Sequence, residues 1–127
     1  MRARQVPRPL LAALSVAVVL AGCGPPPQAP FHEAKKLDAS TGDISTLCGL
    51  ASQITAFPGD HERELASLEA QAGASVRSLV SVYARNPNWI YQGETVRQIV
   101  VDAIEMLRSC GLTQAERMLR RGTSQQT

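Results

Sequence analysis

Histidine is nearly missing from this 127-residue chain, with His32 and His61 the only two. His61 stands beside Glu62 and Glu64 but lacks the second histidine that a zinc-protease helix requires, so an ordinary surface position at a helix start is expected. The sequence also has no nucleophile elbow, no glycine-rich phosphate loop and no pair of carboxylates in a recognisable catalytic frame. No reaction class is motivated, and the expectation is a non-enzymatic protein with no cofactor and no metal. An excess of basic charge is missing too. Of 13 basic side chains, Arg2, Arg4 and Arg8 precede Cys23, whereas all 11 acidic ones follow it. The chain from Cys23 onward is therefore close to neutral, and a nucleic-acid partner, which calls for a basic stripe, is set aside.

Long apolar runs are scarce as well. The run from Leu10 to Leu20 is apolar except for Ser15, roughly half of the ~20 residues needed to span a bilayer. It follows a positively charged start and precedes the small residues Ala21 and Gly22, the three-zone order of an export signal over residues 1–22. The end of that signal, Leu20-Ala21-Gly22-Cys23, resembles the lipobox of bacterial lipoproteins. The resemblance implies cleavage between Gly22 and Cys23 and a diacylglyceryl group on the Cys23 sulfur. Two or more acyl chains hold a protein firmly where one binds only reversibly. The expected location is a cell membrane, lipid-anchored and facing away from the cytoplasm, with the membrane itself and another envelope protein as partners. In a two-membrane host, Gly24 after the cysteine resembles proteins released to the outer membrane.

Gly24-Pro25-Pro26-Pro27-Gln28-Ala29-Pro30 has little capacity to form a helix. Residues 23–39 therefore read as a lipidated cysteine and a Pro-rich flexible tether, which in extended polyproline II would hold a domain off by up to roughly 50 Å. The domain is expected over residues 40–121, with a disordered tail at 122–127.

From Ser40 onward the apolar residues recur at helical spacing. Ile44, Leu47, Cys48, Ala51 and Ile54 form one stripe, ended by Pro58-Gly59. Asp60 is placed to cap a second helix, with Leu65, Leu68, Ala72, Val76, Leu79 and Tyr83 on one face. After Asn86-Pro87-Asn88, a third stripe runs through Val96, Ile99, Val100, Ala103, Leu107 and Cys110, with Gly111 as its C-terminal cap. Thr113 and Glu116 form a capping box for a short last helix carrying Met118 and Leu119. No segment shows a strand alternation with hairpin chemistry. The fold class is all-α, a small bundle of three to four helices.

With Cys23 assigned to lipid, Cys48 and Cys110 remain, both on inward-facing stripes. In an exported chain such a pair reads most simply as a disulfide. A redox pair would place the two closer together, and a metal site needs more ligands. Aromatic character is concentrated at Trp89 and Tyr91, in a chain whose other aromatic residues are Tyr83, Phe31 and Phe57. Two readings stand: Trp89 and Tyr91 as a contact for a partner protein, or, preferred because a small bundle needs every large side chain it has, Trp89 and Ile90 as a plug for the open end of the bundle. Arg117, Arg120 and Arg121 read as a solvated helix end.

Three functional classes remain, in descending order. The first is an interaction module tethered to the membrane. The second is a carrier or sensor of a small apolar ligand, with a cavity lined by residues such as Val76, Leu79, Ile99 and Val100. The third is an enzyme, for which no polar cleft is identified.

Overall fold

In a computed structural model, residues 27–124 can be described, and they form four helices with one very short hairpin. The helices are α1 (Phe31–Thr55), α2 (Glu62–Arg85), α3 (Val96–Cys110) and α4 (Thr113–Ser124). The hairpin pairs β1 (Ile90–Tyr91) with β2 (Glu94–Thr95) between α2 and α3. The three inferred apolar stripes all face the core, where Leu37, Ile44, Ala51, Val76, Leu79, Val96, Leu107, Leu112 and Leu119 are essentially inaccessible. Burial of this kind, at about 25 cal/mol per Å² of apolar surface, drives the assembly. Cys48 and Cys110 are joined in a disulfide that links α1 to the end of α3, with a Cα–Cα distance of 5.3 Å.

The first helix starts earlier than the apolar pattern suggests. Residues 31–39, expected as tether, form the opening turns of α1. Pro30 sits at the N-cap, where a proline's missing amide costs nothing. Leu37 is fully buried, and the two polar side chains flanking it on the same face, Glu33 and Ser40, are buried too. The Glu33 carboxylate lies 3.4 Å from Arg85 at the end of α2 and 3.9 Å from Lys36. Even Pro27–Ala29 is fixed to the domain: the Ile90 amide donates to the Pro27 carbonyl and the Ala29 amide donates to the Ile90 carbonyl, both at 2.9 Å. Gln28 thereby pairs with Ile90 as a parallel bridge beside the hairpin.

Two capping expectations are corrected. Asp60 does accept the Glu62 amide at 3.0 Å, but from one residue outside the helix start, His61 being the N-cap. Thr113 does not cap α4, since it is already the first helical residue. The free amides of Gln114 and Ala115 instead donate to the two carboxylate oxygens of Glu69 on α2, at 3.1 and 3.0 Å. Glu116 turns to Arg120, 2.8 Å away. A carboxylate from a neighbouring helix thus satisfies the orphan donors and complements the helix dipole.

The hairpin is a third difference. Its turn residues Gln92 and Gly93 both have positive φ, 51° and 82°, as a type I′ turn requires. Two-residue arms are too short to leave an alternation in the sequence. Part of the segment expected as tail is helical: Gly122, Thr123 and Ser124 continue α4, and Thr123 is buried. At Gly122 the helix comes so close to α2 that an added Cβ would stand 2.7 Å from a Val80 methyl.

Candidate functional site

Residues from α1, α3 and the hairpin enclose a cleft of about 310 Å³. On α3, Ile99, Asp102, Ala103 and Met106 recur at the spacing that brings side chains onto one face. Thr41 and Ile44 face them from α1, and Tyr91, Gln92 and Glu94 close one end. Ile44, Ile99 and Ala103 make an apolar floor, and Met106, 42% exposed, makes an apolar lip. A depression around Phe57–Glu62 has more volume, about 650 Å³, but it is shallow and built largely from the loop joining α1 to α2.

The rim of the cleft is acidic. Glu94 and Asp102 line it, and Asp38 stands beside it, accepting the Tyr91 hydroxyl at 2.9 Å. Gln98 donates to the Asp102 carboxylate at 3.0 Å, which orients that group. Among the described residues, no lysine or arginine lines the cleft. The hydrogen bond to Asp38, then local loss of solvent and the negative charge of Asp38, raise the Tyr91 phenol above its ordinary pKa. Tyr91 is therefore a neutral donor locked to α1. An apolar floor under a negative rim favours an occupant with a hydrophobic body and a positive group.

The inferred site residues are dispersed. Trp89 and Tyr91 are half-buried and pack against the core, but only Tyr91 lines the cleft. Trp89 contributes its backbone instead, its carbonyl accepting the Val96 amide at the start of α3. Val76, Leu79 and Val100, named as cavity-lining residues, pack within the core, and Ile99 alone of that set reaches the cleft. His32 is exposed on the first turn of α1. His61 Nε2 lies 2.7 Å from the Phe57 carbonyl and closes the α1–α2 connection. The lipobox residues Leu20, Ala21, Gly22 and Cys23 lie outside the described residues.

Among the described residues, no group of three or more His, Cys, Asp or Glu is placed to hold a metal ion, and no helix is long and apolar enough to cross a membrane. Glu69 and Glu33 escaped the reading of the sequence because their partners Ala115 and Arg85 are remote in the chain, and Asp102 because its i,i+4 pairing with Gln98 is common on helix surfaces and marks no site. Comparison with family models, curated proteins and solved structures returns no match to this chain.

Proposed function

We propose that this chain is a membrane-anchored envelope lipoprotein whose helical domain is a non-enzymatic interaction module. The address rests on Leu20-Ala21-Gly22-Cys23 and the charged, apolar and small zones in front of it. A disulfide between α1 and α3 supports an oxidising compartment outside the cytoplasm. The observation that carries the module reading is the cleft between α1 and α3. It sets the exposed thioether of Met106 and the half-buried ring of Tyr91 over a buried floor of Ile44, Ile99 and Ala103, beside Glu94 and Asp102. Such a surface suits a peptide segment or helix that brings an apolar side chain and a cation.

A second reading, a carrier of a small ligand, is favoured by one number. The volume of about 310 Å³ stands at the lower limit of ligand pockets. The ligand would be small and amphiphilic, held at the surface.

Site-specific photo-crosslinking in the native envelope tests the module. A photoreactive residue at Met106 is expected to give a discrete protein adduct that one at the exposed Ser67 on α2 does not. Cys23→Ser is expected to abolish it by releasing the protein from the membrane. Equal labelling at both positions, or none in the cleft, contradicts the reading.

A further inference from the structure

The end of the bundle that receives the chain from Cys23 is also its most lipid-compatible surface. Pro27 is held on Ile90, so the link between the anchor position and the folded domain is only Gly24 to Pro26. Whatever path those residues take, Cys23 and Pro27 are separated by at most about 14 Å. This replaces the stand-off of up to roughly 50 Å that a tether reaching Ser40 would give. The headgroup layer of a bilayer is itself roughly 5–7 Å deep on each side. An acylated Cys23 therefore brings this end of the bundle against the headgroups.

The side chains displayed there suit that position. Phe31 is 73% exposed on the first turn of α1, the most exposed large apolar side chain among the described residues. Lys35 Nζ lies 5.4 Å from the centre of its ring. Lys36 and Arg85 flank the buried Glu33 and stay 41% and 58% exposed. Both lysines of the whole chain are thus in this patch. Its nearest carboxylate is buried between two cations, and Asp38 further along α1 is engaged by Tyr91. The opposite end also exposes a phenylalanine, Phe57 at 68%, but its neighbours include Asp60, Glu62 and Glu64, with Arg63 the one cation among them. The two ends differ in charge, and an anionic surface selects the one bearing Phe31.

We propose that Phe31, Lys35, Lys36 and Arg85 form a docking surface for anionic membrane lipid that seats the domain directly on the bilayer. This rests on the lipoprotein reading above. Three cations are fewer than the four to eight that recruit a free protein to anionic lipid. Here the anchor supplies the proximity, and a short linker raises the effective concentration to the millimolar range. Phe31 then enters the headgroup boundary as the aromatic residues of interfacial helices do. The cleft between α1 and α3 is left on the side of the bundle, open to a partner in the same membrane plane.

The test separates the patch from the forced proximity. The acylated full-length mature protein is prepared with about twenty Gly/Ser residues inserted between Gly24 and Pro25, a linker with a root-mean-square length of about 25 Å. Neutron reflectometry on supported phosphatidylcholine bilayers, with or without phosphatidylglycerol, then locates the near edge of the protein layer. The lengthened protein is expected to stay against the headgroups when phosphatidylglycerol is present. With Phe31→Ser and Lys35→Glu, both at exposed positions, it is expected to rise by up to the linker length. If the lengthened protein rises from the anionic bilayer as far as that variant, the docking surface is overturned while the anchor stands. If intact mass shows no diacylglyceryl group and no protein layer forms, the lipoprotein reading fails and this inference with it.

Discussion

Glu33 Oε2 lies 3.4 Å from Arg85 Nη1, which ties the first turn of α1 to the last residue of α2. The Glu33 side chain is 5% exposed and its other oxygen, Oε1, has no hydrogen-bond partner. Besides Arg85, its one cationic neighbour among the described residues is Lys36 at 3.9 Å. Arg85→Ala is expected to destabilise the fold by about 1–3 kcal/mol, the usual cost of leaving a buried charged acceptor poorly paired. Arg85→Lys should recover part of that loss. Equilibrium denaturation of the three proteins checks this, and an unchanged midpoint for Arg85→Ala would remove the ion pair from the account.

The Cys48–Cys110 bond closes a loop of 62 residues. The chain-entropy estimate for a loop of that size is about 4 kcal/mol, a large share of the stability of a small domain. Reduction with dithiothreitol is expected to lower the melting temperature sharply, and Cys48→Ala with Cys110→Ala should reproduce the reduced melt. A melt that does not respond to reductant contradicts the assignment.

Gly122 opposes two familiar trends. Alanine in a helix is favoured over glycine by about 1 kcal/mol. The added methyl, however, would stand 2.7 and 3.0 Å from the Val80 methyls, where overpacking costs about 1–3 kcal/mol. Gly122→Ala is therefore expected to destabilise, and Gly122→Ala with Val80→Ala to be less destabilised than the sum of the single changes. Simple additivity in thermal or denaturant melts would show that α4 is not in tight contact with α2 at this point.

Tyr91 provides a pH test. Its phenol is raised above the ordinary value because Asp38 accepts its proton in a hydrogen bond. The neutral form is favoured in the fold, so this contribution is fully present below about pH 10 and is lost as pH rises through the folded pKa. In a Tyr83→Phe background, ultraviolet titration should place Tyr91 above a free tyrosine, and Asp38→Ala should bring it down. Indistinguishable titrations with and without Asp38 contradict the bond.

How much of this was legible depended on whether the signal was local. The stripe from Val96 to Leu107 and the Gly111 cap, with φ 88°, are written in contiguous residues and appear as read. The beginning of α1 was hidden because buried Glu33 and Ser40 interrupt the apolar period around Leu37. The cap of α4 was hidden because Glu69 is remote in sequence from Ala115, while a plausible local box at Thr113 and Glu116 pointed elsewhere. Tyr91 was singled out for its rarity and does line the cleft. Thr41, Glu94, Asp102 and Met106 carry no individual signature, and only the packing of three separate elements brings them together.

Intact mass of the protein extracted from its native membrane, with and without reduction, decides whether the chain is a lipoprotein. A chain beginning at Cys23, heavier by a diacylglyceryl group and heavier again by two hydrogens after reduction, is expected, with Cys23→Ser lacking the lipid. Retention of residues 1–22, or a chain cut before Cys23 without lipid, would contradict it.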